Sequence, residues 1–284
     1  MRKTIIISGA TSGIGFALAK EYTINDERVI ALGRSNDSCS NALKEIKSIK
    51  PDSDIIYLSA DLSSLEEIDN VCKKILKLTE NTGIDVLINN ASTVPKWYLT
   101  TKQGYEMQFQ VNHLSAMAIT RKLMRDLIKN KGMIITTSSR SHRGATINFN
   151  DIMLSQRYNL LKAYKQSKLA NVLFTYQFNR MYKNKYNVIG YAVDPGLVNT
   201  AIGEKNSSGI ARIFWKLRRR FGRLPEEIVS TYSSLIYNEK NRQVDCYYYK
   251  DSKPIQPSKY ARRVVNSRKL WDLSYKLLGE SVYE

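Results

Sequence analysis

Four polar residues in this chain have the types and spacing to deliver a proton to a developing oxyanion. Tyr164 and Lys168 lie four apart in AYKQSKLANVLFT, so on a helix they share one face. A free phenol, with a pKa of about 10, is a poor acid–base group at neutral pH, and an ammonium beside it favours the phenolate by direct electrostatics. Ser139 ends the run GMIITTSS, 25 residues before the tyrosine, where its hydroxyl could polarise a substrate oxygen. Asn112, in QVNHLS, could anchor a water that returns the proton from solvent to Lys168. The set suits a reaction in which hydride reaches a carbonyl carbon and Tyr164 protonates the oxygen. Each piece alone is common; the order and spacing together carry the inference.

Hydride must come from a cofactor, and SGATSGIG at the start of the chain offers a place for one. Gly9, Gly13 and Gly15 stand where the run TIIIS meets a helical pattern. Glycine there permits a sharp turn and close approach of backbone N–H groups, and a helix N-terminus favours a pyrophosphate. The spacing is G-x-x-x-G-x-G rather than G-x-G-x-x-G, and by itself it could be no more than a flexible turn. At the end of the next apolar run, ALGRSN places Arg34 where an acid would bind the ribose 2′-hydroxyl of NAD. Arginine accommodates a 2′-phosphate instead, so the expected cofactor is NADP(H). Asp61, in LSADLSS, is placed either to meet the adenine, with Leu62 beside it, or to cap a helix. Asp194-Pro195-Gly196 reads as a turn over the nicotinamide, Pro195 fixing its backbone and Gly196 allowing an unusual angle.

Elements that could position these residues are legible in the hydrophobic pattern. Apolar, β-branched runs recur at 4–8, 28–33, 54–59, 84–90, 132–139 and 187–194. Between them, 14–22, 64–79, 101–129 and 158–182 have lengths and residue types that suit helices. Strand alternating with helix predicts an α/β fold: a doubly wound, Rossmann-like parallel sheet with helices on both faces. Such a sheet gathers ligands at the carboxyl ends of its strands. Gly9, Asn89, Asn90, Ser138, Ser139 and the Asp194 turn all fall there.

The 284 residues, 43% of them hydrophobic, are expected to form one domain over 1–284. No run of about 18 apolar residues and no signal-peptide pattern occurs, which predicts a cytoplasmic protein. Cys39, Cys72 and Cys246 are widely spaced, and His113 and His142 lack partners at ligand spacing, so neither disulfides nor a metal is expected. His113 is expected to pack on the long helix, and His142 to lie in a loop near the site mouth. The formal charge of +18, from 44 basic and 26 acidic residues, could reflect nucleic acid, an anionic membrane, a phosphate-rich cofactor or simply a lysine-rich surface. No nucleic-acid motif accompanies it. Positive charge concentrates in 209–223, at Arg212, Lys216, Arg218, Arg219, Arg220 and Arg223, around an apolar stripe of Ile210, Ile213, Phe214, Leu217 and Phe221. Within a substrate-covering segment of about 200–225, this stretch could be an active-site lid or a helix in contact with anionic membrane.

SGATSGIG, DLSS, INNAS, QVNHLS, TTSS, YKQSK and DPGLVNT occur in one order along nearly the whole chain, and on them the chain resembles the short-chain dehydrogenase/reductase family. QVNHL, SKLANVLFT and KLWDLSYKLLG make it most similar to the retinol dehydrogenase-like branch, which has a long insertion matching 140–163. The resemblance implies a catalytic tetrad of Asn112, Ser139, Tyr164 and Lys168. It also implies cofactor contacts at Gly9, Ser12, Ile14, Asn90 with its neighbour Ala91, Val198 and Thr200, beside those at Tyr164, Lys168, Pro195 and Gly196. Many members pair through two long helices, here 101–129 and 158–182, which makes a homo-oligomer conceivable. Ser92 departs from the family's usual glycine, and Asp194 replaces a more common His or Asn, which could bring negative charge near the nicotinamide. The expected activity is interconversion of an apolar ketone or aldehyde with its alcohol. The same fold also serves sugar-nucleotide epimerases, with other glycine spacing and a larger substrate domain, and cofactor-sensing binding proteins, whose tetrad is typically broken.

Overall fold

The computed structural model describes residues 2–199 and 222–279. One sheet of eight strands runs through them in the order β3-β2-β1-β4-β5-β6-β7-β8. β1 (Thr4–Ser8), β2 (Arg28–Gly33), β3 (Ile55–Ser59), β4 (Val86–Asn89), β5 (Met133–Thr137), β6 (Ile189–Val193) and β7 (Tyr248–Lys250) are parallel to their neighbours, and β8 (Lys253–Pro254) turns back antiparallel on β7. The strands read as unbroken apolar runs because both faces are covered. Ile5, Ile7, Val29, Ala31, Val86 and Ile88 join one core, whereas Ile6, Ile30, Leu87 and Ile134 join the opposite one.

The first face is covered by α1 (Gly13–Ile24), α2 (Asn36–Ile49) and α8 (Pro225–Tyr237). On the second lie α3 (Leu65–Thr79), α5 (Ser115–Lys122), α6 (Met124–Lys129), α7 (Leu160–Tyr186) and α10 (Val264–Leu277). Two short helices, α4 (Met107–Phe109) and α9 (Lys259–Arg262), complete the set that concerns the site. Because β1 is flanked by β2 on one side and β4 on the other, the winding reverses between β1 and β4, and a crevice opens at their carboxyl ends.

The six strands stand where the apolar runs place them, but the helix expected over 101–129 does not begin at 101. Thr100 bridges to Glu106 across a turn with Gly104 at φ +78°, and helix starts only at Met107, where the Glu106 carboxylate accepts the Phe109 N–H at 2.7 Å. A π-turn at Gln110–Leu114 and a break at Leu123 then divide it. α2 and the described elements beyond β6 lie outside those that the apolar periodicity singled out.

α10 lies over the outer faces of α5 and α7. Trp271 stacks on Phe174 with ring centroids 5.7 Å apart, and the Arg121 guanidinium sits 4.3 Å above the Tyr275 ring.

Candidate active site

β5 and α7 position three of the four candidate residues. Asn159 caps α7 by accepting the Lys162 N–H at 3.0 Å, and one turn later Tyr164 is half-buried. Ser138 Oγ donates to the Lys168 carbonyl at 2.8 Å, which fastens α7 to the end of β5. Lys168 is 2% exposed; its Nζ donates to Thr137 O at 3.3 Å and lies 5.7 Å from the centroid of the Tyr164 ring. Burial disfavours the ammonium and pulls the Lys168 pKa down to about 8. The sequence thus brings a cation to the tyrosine, and the fold adds desolvation, which strengthens its field there.

Ser139 follows at the carboxyl end of β5, almost fully buried, with Oγ accepting the Ser141 N–H at 3.3 Å in a short 3₁₀ turn. The Asn112 side chain is a strut: Oδ1 accepts Thr93 N–H at 2.7 Å, and Nδ2 donates to Thr93 O at 3.2 Å and to Ser167 Oγ at 3.0 Å. Ser167 Oγ in turn donates to Tyr164 O at 2.9 Å, so Asn112 ties the β4 loop to the turn of α7 that bears the tyrosine. Its π-turn disrupts the normal i→i−4 pairing, a local feature frequent at functional sites.

At the carboxyl end of β1, Gly9 (φ +67°) and Gly13 (φ +57°) occupy left-handed backbone that glycine alone adopts freely. Gly15 is needed for space: a Cβ there would lie 2.1 Å from Gly9 O and 2.5 Å from Asn90 Nδ2. Gly15→Ala is therefore expected to destabilise the protein by about 1–3 kcal/mol and to weaken dinucleotide binding by displacing the turn. Thermal denaturation and a nicotinamide-cofactor titration check both effects. Ser12 flanks the α1 N-terminus without a side-chain capping bond, and the first turn holds no acid, so the positive end of the helix faces the crevice uncompensated. This arrangement fits a dinucleotide pyrophosphate.

Asn90 closes the crevice, with Nδ2 donating to Ser8 O and Gly9 O at 3.2 and 3.3 Å. Ser8, which the sequence reading passed over, organises the turn: its hydroxyl accepts the N–H groups of Asn90 and Ala91 at 3.0 and 3.1 Å. Its signal was a polar residue ending an otherwise aliphatic strand. Tyr57, also missed, pins the turn from β3 by donating to Ala10 O at 2.8 Å. Ile14 packs against the core, Arg34 is exposed just past β2 with no ion-pair partner among the described residues, and Leu62 is buried beside Asp61. Val198 bridges to Arg223. Thr200 and nearly all of 209–223, with the lid and membrane readings attached to it, lie outside the described residues.

Two expectations are corrected. Asp61 does not cap α3: Ser64 accepts the Glu67 N–H at 3.2 Å, while the Asp61 carboxylate accepts Ser63 N–H at 2.9 Å. His142 is not at a site mouth. It is fully buried behind Ser139, with Nδ1 at 2.8 Å from Ser139 O and Nε2 accepting Ser258 N–H at 3.1 Å. Asp194 is 2% exposed and closes its own turn by accepting Gly196 N–H at 2.9 Å, with Gly196 at φ +74°. Ser92, by contrast, is not among the residues in left-handed backbone, so no glycine is required there. His113 is buried on the long helix as expected, and the three thiols are free and buried.

Residues 3–211 match the family model described as short chain dehydrogenase. The chain belongs to the short-chain dehydrogenase family. Its similarity to retinol dehydrogenase 13 of Homo sapiens is 32% identity over 98% of this chain and 85% of that protein; for human retinol dehydrogenase 14 the figures are 31%, 98% and 86%. Among solved structures, an alcohol dehydrogenase from Thermococcus sibiricus complexed with 5-hydroxy-NADP superposes with a TM-score of 0.67 at 19% identity, covering 93% of this chain and 99% of that one. A short-chain dehydrogenase/reductase from Burkholderia phymatum in complex with NAD gives 0.69 at 15% identity, covering 100% and 97%. Those two likenesses establish the Rossmann-like fold. As a short-chain dehydrogenase, the protein is a nicotinamide-dependent oxidoreductase that interconverts an alcohol and a carbonyl compound. No helix among its described residues is long and apolar enough to cross a membrane.

Proposed function

We propose that this short-chain dehydrogenase is an NADP(H)-dependent reductase of an apolar ketone or aldehyde, which in reverse oxidises the alcohol. The observation that carries the reading is the buried Lys168 ammonium beside the half-buried Tyr164, on a helix fastened to the segment between β5 and Ser139. When bound, the reduced nicotinamide supplies hydride to the carbonyl carbon. Ser139 Oγ donates to the substrate oxygen and polarises it. Tyr164 gives its phenolic proton to that oxygen, and Lys168 stabilises the phenolate left behind. Asn112, whose side chain is held by Thr93 and Ser167, ties the β4 loop to the Tyr164 turn and would anchor the water that returns a proton to the pair.

For the cofactor, Gly9, Ser12, Gly13, Ile14 and Gly15 hold the pyrophosphate. Asp61 and Leu62 would meet the adenine, Asn90 and Ala91 would contact the dinucleotide, and Pro195, Gly196 and Val198 would lie by the nicotinamide. Arg34 pairs with the 2′-phosphate; its exposed position just past β2 supports that role. An apolar substrate is supported by the names of the retinol dehydrogenase relatives and by exposed Trp97, Tyr98 and Leu99 after β4, together with Leu161 one turn before Tyr164. The free thiols suit a reducing compartment, the cytoplasm.

The test is cofactor oxidation across aliphatic, aromatic and isoprenoid aldehydes and ketones, with NADPH and NADH in parallel. Turnover should prefer NADPH, and Arg34→Asp should reverse that preference, by about tenfold or more if one charge-assisted contact is lost. An unchanged preference would refute the 2′-phosphate assignment. Tight NADPH binding with no turnover on any carbonyl would favour a cofactor sensor instead.

A further inference from the structure

His113 Nδ1 and Asn171 Oδ1 are buried atoms without an assigned hydrogen-bond partner. Both side chains are fixed at their other ends. His113 Nε2 lies 2.9 Å from Ser274 Oγ on α10, and Asn171 Nδ2 donates at 3.1 Å to Thr137 O, the carbonyl that also takes Lys168 Nζ at 3.3 Å. None of His113, Asn171 and Ser274 is more than 1% exposed, and the Asn171 side chain lies within hydrogen-bonding reach of the imidazole. Leaving two such atoms unpaired in the interior would carry a penalty of desolvation for each.

We infer that these groups form a hydrogen-bond chain of fixed direction that positions the Lys168 ammonium: Ser274 Oγ–H to His113 Nε2, His113 Nδ1–H to Asn171 Oδ1, and Asn171 Nδ2–H to Thr137 O. The direction follows from one end. A carbonyl only accepts, so the Asn171 NH₂ must face Thr137, and its Oδ1 then points the other way and also only accepts. His113 must therefore carry its proton on Nδ1, leaving Nε2 to accept from Ser274. Burial lowers the His113 pKa to about 4, so the ring is neutral at any working pH. Around the imidazole stand the Phe109 and Phe174 rings, Ser274 and Asn171, none of them charged.

Thr137 O is shared by two donors, and that sharing is the functional consequence. With the Asn171 N–H present, the carbonyl holds Lys168 less tightly and leaves its charge available to Tyr164. Without it, the carbonyl draws the ammonium toward β5 and strengthens its hold on the proton. Tyr164 is the titratable group that faces Lys168; no charged group among the described residues shifts it, desolvation being the sole cause. Asn171 is thus a positioning residue for Lys168, and His113 orients Asn171. The role in turnover rests on the proposed function; the hydrogen-bond chain itself does not.

The test uses the full chain with ¹⁵N-labelled histidine and lysine, the Lys168 signal being the one lost in Lys168→Met. Only two histidines are present, so His113→Gln assigns the spectrum by subtraction. The expected result is His113 as the neutral Nδ1–H tautomer, changing to Nε2–H in Asn171→Leu, while the Lys168 ¹⁵Nζ titration midpoint moves up in that variant. An Nε2–H tautomer in the unaltered protein, or a tautomer and midpoint indifferent to Asn171→Leu, would overturn the chain, and neither reading needs a substrate. On a carbonyl that is turned over, His113→Phe keeps the aromatic packing and should lower kcat about tenfold with little change in KM. His113→Gln, whose amide can donate to Asn171, should recover most of it. Equal kcat in all of these variants would leave a purely structural network and remove the positioning role.

Discussion

Lys168→Met will melt several degrees above the unaltered protein at pH 7 and will not turn over substrate. The lysine is buried with its pKa drawn from 10.5 to about 8, so holding it as an ammonium costs the native state roughly 3 kcal/mol at neutral pH. Methionine fills a similar volume without a charge, and Thr137 O keeps its bond from Asn171 Nδ2 when the lysine is gone. The pH dependence has a definite sign. Below about pH 8 both folded and unfolded chains carry the proton, and the native state bears the whole penalty. Between about 8 and 10.5 the unfolded chain binds more protons, so the lysine protein gains stability with rising pH and its deficit against Lys168→Met closes. Denaturant midpoints of the two proteins across that window measure it. A deficit that is absent at pH 7, or that widens as pH rises, would mean that Lys168 is not held as a strained ammonium. A residue whose removal stabilises the fold while ending activity is one retained for chemistry, and no purely structural role for Lys168 predicts that pairing.

Tyr164→Phe should lower kcat by about a hundredfold to ten-thousandfold while leaving the dissociation constant for NADPH within a few-fold of the original. The ring stays, so the contact 5.7 Å from Lys168 Nζ is preserved and only the proton donor goes. Hydride can then arrive at the carbonyl carbon only if the oxygen keeps its charge or takes a proton from water. Single-turnover oxidation of bound NADPH separates this effect from cofactor release. Retention of kcat would move the proton donor to another group, and Ser139, buried at the end of β5, would be the next to alter.

What could be read from the sequence is what lies close together along it. The six apolar runs became six neighbouring strands because a parallel sheet covered on both faces demands continuous hydrophobicity, which is a local pattern. Tyr164 and Lys168 meet because four residues make about one helical turn, and the glycine turn is legible because positive φ and missing Cβ atoms select for glycine at fixed offsets. Membership of the short-chain dehydrogenase family follows from those motifs in order. The tertiary structure alone decided how the same residues are wired. Ser8 organises Asn90 and Ala91 more than 80 residues away, Asn112 is tied to Ser167, and His142, expected in a loop near the site mouth, is drawn into the wall behind Ser139. α10 packs on α7 and brings Ser274 to His113 across 161 positions of sequence. Such contacts have no period and no fixed spacing. They arise from the closing of one layer on another, where a buried polar atom must find its partner wherever the chain happens to bring one.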